Sequence, residues 1–292
     1  MEKKITPYKK RTNKITLPAT LTWLRQPNTI TMMRSDYSLL QLRALFIIMG
    51  KMQNSITTSI TNVKLDKRTN EAEQLQQKKK NEHIVQQQLD LFNDFRDERN
   101  EDYLRFNIAL KDFNINHTNY KDLKKALKEL AGIVVEIPFK DKKTGEDWLS
   151  YEGLLSAEMP KEYGKNIIIK IRRDVSKFML ETIYMGYTKF LREIIFNIQS
   201  PNTLKIYLLI CKNVEFGGFR MTLENFKKYM FYKNHDKIYK NFSLLSKKVI
   251  NPAYERLFEN SNVWFEVIAD YKSTTDKEPH CLVWKVYKVK SL

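Results

Sequence analysis

The chain has 292 residues, 42% of them apolar, which is enough for two domains that each bury a hydrophobic core. Its formal net charge of +17 favours a polyanionic partner, and its 8 Gly and 8 Pro argue against a fibrous or loop-rich protein. No apolar run approaches the roughly 20 residues that span a bilayer, and the first residues lack the apolar core of a secretion signal, so nucleic acid is the expected partner and a membrane is not.

Residues 1–29 are rich in Lys and Arg and show no apolar period, which predicts a basic arm. Such an arm either enters a minor groove or only adds to counterion release on DNA. The first domain is predicted to span residues 30–175. It begins with a helix that Ser35 or Asp36 caps and that Gly50 ends.

Residues 64–102 form a polar stretch, rich in Gln and Lys, that we interpret as an insertion in the first domain. Its composition is compatible with a disordered segment or with a solvated helix, because an apolar pattern starts only at Leu89, Phe92 and Phe95. Regular structure is predicted to resume over residues 103–109.

An amphipathic helix is predicted over residues 120–131, with Asn119 as its N-cap and Gly132 just beyond its end. The lysines of this helix are candidate DNA contacts. They are equally compatible with an ordinary solvated face, because Asp122 and Glu129 lie among them. These candidates are Lys121, Lys124, Lys125 and Lys128.

Extended chain follows this helix. Residues 133–139 are predicted to form a strand, residues 141–147 a turn, and residues 166–171 a closing strand. The runs of Ile and Val in these segments favour burial in a sheet.

The second domain is predicted to span residues 176–292. Apolar residues from Tyr187 to Ile198 form a stripe at helical spacing. Ser200 and Pro201 start a further helix, which Gly217 and Gly218 end, and Thr222 caps a short one.

Residues 236–249 (DKIYKNFSLLSKKV) predict a helix with one apolar and one basic face. Ile238, Phe242, Leu245 and Val249 share the apolar side. The basic side predicts contacts to DNA, although a lysine stripe alone is usually a solvated surface. Its candidate DNA-binding residues are Lys237, Lys240, Asn241, Lys247 and Lys248, with Leu244 on the same side.

Two strands, residues 263–269 and 281–289, follow this helix and flank a polar turn at 273–277. Helix, hairpin and basic face in this order are typical of a winged helix-turn-helix. The order of basic amphipathic helix, strand, turn and strand also occurs after Asn119. The chain is therefore predicted to be an α+β protein with two tandem winged-helix domains, related by a pseudo-two-fold internal duplication.

The sequence lacks the motifs of the enzymes that act on DNA. No phosphate-binding G-x-x-x-x-G-K-[ST] occurs, and the four histidines are too scattered to hold a metal for strand cleavage. Cys211 and Cys281 do not have zinc-finger spacing, and their separation favours a reducing cytoplasm. We therefore expect a binding protein that is not an enzyme and uses neither a cofactor nor a metal.

The order and spacing of several segments resemble the initiator (Rep) proteins of iteron-containing bacterial plasmids. Residues 200–207 (SPNTLKIY) resemble the Ser…Tyr start of a family helix. Residues 237–242 (KIYKNF) and 247–253 (KKVINPA) resemble the family's recognition helix and the turn after it. Residues 187–190 (YTKF) and 120–130 (YKDLKKALKEL) match two further family patterns.

The resemblance implies two tandem winged-helix domains that bind directly repeated origin sites, called iterons, in double-stranded DNA. It also implies a monomer that initiates replication and a dimer, formed by the first domain, that represses its own promoter. A host initiator and the replicative helicase would be the partners, in the cytoplasm of a bacterium that carries the plasmid. Because the recognition helix has lysines and no arginine, Asn241 is our candidate for a base-edge contact, to adenine by geometry.

Two other functions remain open from the sequence. A winged-helix transcriptional repressor without a replication role would use the same modules, but no ligand pocket can be recognised in the sequence. A strand-cleaving rolling-circle initiator is disfavoured by the absence of a histidine pair. A row of roughly 20-bp direct repeats beside the coding sequence would favour the iteron-binding initiator.

Overall fold

The computed structural model describes residues 2–7, 21–31, 37–54, 96–97, 100–113, 115, 117–140, 143, 145–180, 187–230 and 241–289. The chain forms two compact units. The central unit comprises Leu40–Met185, and the terminal unit combines Met1–Leu39 with Gly186–Leu292. The terminal unit is thus built from both ends of the chain, whereas the sequence predicted one boundary near residue 175 and a separate arm.

The expectation of a separate basic arm over residues 1–29 is wrong at both described ends of that segment. Strand β1 (Glu2–Lys4) pairs antiparallel with Val263–Asp270, and β2 (Trp23–Pro27) pairs with Tyr187–Leu191. Beyond β1, the Ile5 amide donates to the Val267 carbonyl at 2.9 Å, and the buried Thr6 hydroxyl accepts from the Val267 amide at 3.0 Å. A strand that only covers a sheet edge needs no apolar period of its own, so its sequence carries no signal.

The described part of the central unit contains three helices and six strands. The helices are α2 (Leu39–Asn54), α3 (Tyr120–Ala131) and α4 (Arg173–Leu180). The strands are β3 (Arg96–Asp97), β4 (Asn100–Ala109), β5 (Val134–Lys140), β6 (Asp147–Gly153), β7 (Ser156–Glu158) and β8 (Asn166–Arg172). A 3₁₀ turn, Leu110–Phe113, follows β4.

The central sheet has the strand order β3-β4-β8-β7, while β5 and β6 form a separate hairpin. In β8 every second side chain is buried, and Ile167, Ile169 and Ile171 are each at most 1% exposed. This alternation is what one apolar sheet face requires. The strands predicted over 133–139 and 166–171 are confirmed, and the regular structure predicted to resume over 103–109 is strand β4.

Two predictions in the central unit are corrected. Helix α2 does not end at Gly50 but continues to Asn54, and Met52 in this extra turn is fully buried. Burial of such a side chain outweighs the roughly 1 kcal/mol that glycine costs a helix. The C-terminal end of the predicted insertion contributes to β3 and β4, whereas residues 64–95 and 98–99 lie outside the described residues.

The terminal unit contains the remaining elements. Its helices are α1 (Asn28–Thr31), α5 (Arg192–Asn197), α6 (Pro201–Asn213), α7 (Leu223–Met230), α8 (Phe242–Leu245) and α9 (Asn251–Asn260). Its further strands are β9 (Tyr187–Leu191), β10 (Gly218–Thr222), β11 (Val263–Asp270) and β12 (Cys281–Lys288). A sheet with the order β1-β11-β12-β10 backs the helices. The chain order of helix, strand, helix, helix and hairpin is that of a winged helix.

The helical stripe predicted from Tyr187 is wrong in its first half. Residues of β9 alternate, with Thr188 and Phe190 buried and Tyr187 and Lys189 exposed. The Thr188 hydroxyl lies 2.8 Å from the Thr31 hydroxyl, which fixes the strand to the N-terminal segment. Pairing with a strand more than 150 residues away in sequence overrides the local helical spacing.

Local start and stop signals are confirmed elsewhere in this unit. The Ser200 hydroxyl accepts from the Thr203 amide at 3.4 Å, and the Thr222 hydroxyl accepts from the Asn225 amide at 3.2 Å. Gly217 has φ +69°, which favours glycine. A Cβ at Gly218 would lie 2.3 Å from the Trp284 carbonyl oxygen, so β10 reaches β12 only because this residue has no side chain.

Candidate nucleic-acid interface

The candidate recognition helix of the terminal unit consists of α8, one π-helical turn (Ser246–Ile250) and α9. Its helical residues begin at Phe242, because Asn241 is extended, with φ −116° and ψ 118°. The continuous helix predicted over 236–249 is therefore interrupted at Asn241, and the helix continues beyond Val249. Residues 236–240, which include Lys237 and Lys240, lie outside the described residues.

Pro252 accounts for the π turn. The Asn251 amide donates to the Ser246 carbonyl, five residues back, as in a π-helix. Proline has no amide hydrogen, and its ring would clash with the carbonyl four residues before it. The widened turn accommodates Pro252 within a helix that continues to Asn260. The resemblance of residues 247–253 to the family had instead indicated a turn after the recognition helix.

Asn241 occupies the N-cap of this helix. Its side-chain oxygen accepts from the Ser243 amide at 2.8 Å, and its carbonyl accepts from the Leu245 amide at 3.0 Å. The side chain thus satisfies one of the free amides of the first turn. This geometry assigns Asn241 a capping role, and its predicted contact with a base stays a prediction.

The first two turns of the candidate recognition helix present opposite faces. Phe242, Leu245 and Val249 are at most 7% exposed and pack into the domain core. The opposite side carries four exposed residues and no acidic residue before Glu255. These four residues, the exposed face, are Ser243, Leu244, Lys247 and Lys248. Neither lysine has an ion-pair partner within the described ranges, so both are available to phosphates.

The connection between β11 and β12 is a wing that carries two further exposed lysines, Lys272 and Lys277, which were not among the candidates from the sequence. Asp276 orders its tip, because its carboxylate accepts from the Ser273 amide at 2.9 Å. Lys227 of α7 and Glu278 form an ion pair of 3.1 Å at its base. A search for cations in the predicted turn at 273–277 would have found Lys277, and Lys272 directly precedes that turn.

In the central unit, α3 has the predicted amphipathic form. Tyr120, Leu123, Leu127 and Leu130 are buried, and Lys121, Lys125 and Lys128 are exposed. At about 100° per residue these three lysines fall within roughly 60° of one another. Asn119 lies at the N-cap but its side chain makes no capping hydrogen bond.

Two of the four candidate lysines on α3 are engaged within the unit. The Lys124 ammonium donates to the Lys161 carbonyl at 2.5 Å and lies 4.7 Å from the centre of the Tyr120 ring. Lys125 lies 4.0 Å from Glu129, whose other carboxylate oxygen accepts from Gln41 at 2.8 Å. A phosphate would compete with these contacts.

Both cysteines lie in the core of the terminal unit as free thiols. Burial raises the pKa of the Cys211 thiol, and burial also raises the pKa of the neighbouring Tyr207 hydroxyl. The described residues contain no group of His, Cys, Asp or Glu that could hold a metal ion. No described helix is long and apolar enough to cross a membrane.

Two family models match the chain in sequence order. Residues 87–211 match "Initiator Replication protein, WH1", and residues 222–276 match "Initiator Rep protein, WH2". Together they cover more than half of the 292 residues. The chain belongs to the initiator replication protein family. The resemblance inferred from the sequence is confirmed, and so is the α+β class with two winged-helix domains.

Among solved structures, the fold is similar to that in "Crystal structure of Pi initiator protein in complex with iteron DNA". The TM-score is 0.58 at 14% identity, over 92% of this chain and 98% of that one. No curated protein matches the chain by sequence. The first family model begins at residue 87, so the last part of the predicted insertion belongs to the family's own domain.

Proposed function

We propose that this initiator binds the iterons of a plasmid origin in double-stranded DNA and thereby starts replication. The observation that carries the proposal is the exposed face of the candidate recognition helix, where two lysines without ion-pair partners among the described residues share a surface with Ser243 and Leu244. In helix-turn-helix proteins the N-terminal residues of this helix contact base edges. The Pi initiator, which is similar in fold and was crystallised in complex with iteron DNA, supports the same ligand.

The central unit supports a second part of the proposal, self-association into a dimer that represses its own promoter. The hairpin of β5 and β6 exposes large apolar side chains, with Val134 60%, Trp148 51%, Leu149 52% and Tyr151 63% exposed. Val134, Leu149 and Tyr151 lie on one face of the hairpin and Trp148 lies on the other. Exposed apolar side chains grouped on one face favour a protein interface. Sedimentation velocity of Trp148→Ser with Tyr151→Ser is expected to show less dimer than wild type, whereas an unchanged dimer fraction would place the interface elsewhere.

Recruitment of a host initiator and of the replicative helicase completes the proposed role, in the bacterial cytoplasm. We also propose that the protein makes and breaks no covalent bond in DNA. Incubation of supercoiled origin plasmid with protein and divalent metal should leave it intact, and specific nicks would contradict the proposal. Family membership disfavours the alternative of a transcriptional repressor without a replication role.

A footprint over the DNA beside the coding sequence tests iteron binding. Protection is expected over a row of direct repeats of roughly 20 bp, about two turns of duplex each. If about eight phosphates are neutralised, log K should fall with log[salt] at a slope near −7. Equal affinity for repeats and for shuffled duplexes would refute sequence-specific binding, and a slope flatter than about −3 would refute an extended footprint.

A further inference from the structure

The exposed face of the candidate recognition helix has an apolar centre. Counted from Phe242 at about 100° per residue, Ser243 and Lys247 lie on one side of Leu244 and Lys248 lies on the other. Leu244 is 38% exposed and lies opposite the middle of the buried side, which is formed by Phe242, Leu245, Ser246, Val249 and Ile250. The leucine is thus the side chain most directly opposite the core.

A single exposed leucine is common on protein surfaces and by itself needs no explanation. Three features distinguish Leu244. It lies in the first turn, where helices of this type meet base edges. It is surrounded by the cations that would hold the DNA backbone. The side-chain oxygen of Asn241, the residue at the N-cap, already accepts from the Ser243 amide at 2.8 Å.

The chemistry of an isobutyl group limits what Leu244 can recognise. It cannot exchange hydrogen bonds with the donors and acceptors of a base pair. In the major groove the C5-methyl of thymine is the apolar group that distinguishes one base pair from another. We propose that Leu244 is a specificity-determining residue that recognises a thymine by packing on its 5-methyl group. This inference rests on the proposed binding to iterons and adds the base that the site selects.

Replacement of single thymines by deoxyuridine in the footprinted repeat tests this directly, because deoxyuridine lacks only the methyl group. Fluorescence anisotropy should show that wild type loses about 3- to 5-fold in affinity at one position, the expectation for one buried methyl. Leu244→Ala should bind the thymine duplex more weakly and should no longer respond to deoxyuridine at that position. The two changes would then be non-additive, as for groups in contact.

Two control variants separate this contact from general effects. Phe216→Ala removes another exposed apolar side chain of the terminal unit, 81% exposed, and should leave the deoxyuridine effect unchanged. Lys247→Ala should weaken all duplexes and keep the deoxyuridine effect. If no thymine shows a loss that Leu244→Ala abolishes while wild type still prefers the repeats, the inference is overturned and the proposed function stands. If wild type does not prefer the repeats, both are overturned.

Discussion

Helix α3 and the candidate recognition helix both carry lysines on an amphipathic helix, yet the surroundings of these lysines differ. On α3, Lys124 is held by the Lys161 carbonyl and Lys125 faces Glu129. On the candidate recognition helix, Lys247 and Lys248 have no ion-pair partner within the described residues. A lysine count on one helix face therefore does not measure its capacity for DNA. What matters is whether phosphate would replace water or replace a contact inside the protein.

The double variant Lys247→Ala with Lys248→Ala is expected to lose the most DNA affinity. Each lysine that bonds a phosphate is expected to contribute about 1.5–3 kcal/mol, as for hydrogen bonds to charged groups. Its loss should lower the salt slope by about 1, so the double variant should lose about 2. Anisotropy titrations across salt concentrations give both quantities.

The matched control is Lys121→Ala with Lys125→Ala on α3, which removes the same charge from the other helix. Its slope should change by about 1 or less, because Lys125 also interacts with Glu129. A larger loss for this pair than for Lys247 with Lys248 would reverse our ranking of the two helices.

The next effect concerns the stability of the terminal unit alone. Thr6→Val keeps the side-chain shape but leaves the Val267 amide without its acceptor, which costs about 1–3 kcal/mol. Both cysteines lie buried in this unit, so a thiol reagent reaches them when the unit opens. Because this cost lowers the free energy of opening, thiol labelling of the native protein should accelerate about 5- to 150-fold.

Two variants control this measurement. Thr6→Ser retains the hydroxyl acceptor and should label close to the wild-type rate. Tyr120→Phe removes the 2.8 Å hydrogen bond to the Pro160 carbonyl in the central unit and should not change thiol labelling. Wild-type labelling kinetics for Thr6→Val would show that the N-terminal strand does not stabilise the terminal unit.

The elements that the sequence predicted well are those whose signals are local. Ser200 with Pro201, Thr222 and Gly217 each act within a few residues, through a cap or a positive φ. Amphipathic helix α3 and the hairpin of β11 and β12 likewise carry their own period. The winged-helix order could therefore be recognised without any long-range information.

The elements that it missed are set by distant partners or by competing local signals. Strands β1 and β9 depend on pairing across more than 150 residues, which no local period reveals. Asp236 and Asn241 both have N-cap chemistry ahead of the same apolar stripe, and periodicity does not choose between them. The exposed lysines of the candidate site were predictable from the helical period, whereas the contacts that occupy Lys124 and Asn241 were not.

A smaller effect separates capping from base recognition at Asn241. Asn241→Ala removes the acceptor for the Ser243 amide and should cost the helix about 1 kcal/mol. Because the whole first turn frays, affinity should fall to a similar extent on repeat and shuffled duplexes. Asn241→Ser, which can cap equally well, should restore binding to both. A loss confined to the repeat duplex that serine does not rescue would return Asn241 to the base-contacting role.

The weakest response is predicted for Lys124→Ala, a change that tests whether α3 uses this lysine inside the protein. The variant loses one hydrogen bond to the Lys161 carbonyl and the cation–π contact with Tyr120, both at a partly exposed site. We expect about 0.5–1 kcal/mol lower stability of the central unit in urea unfolding and no change in the salt slope. Lys128 is a solvent-exposed lysine of the same helix. If α3 contacts DNA, Lys128→Ala should lower the salt slope and leave the stability of the central unit unchanged. A salt slope that drops by about 1 for Lys124→Ala would mean that phosphate displaces the Lys161 carbonyl. In that event only the ion pair between Lys125 and Glu129 would distinguish the lysines of α3 from those of the candidate recognition helix.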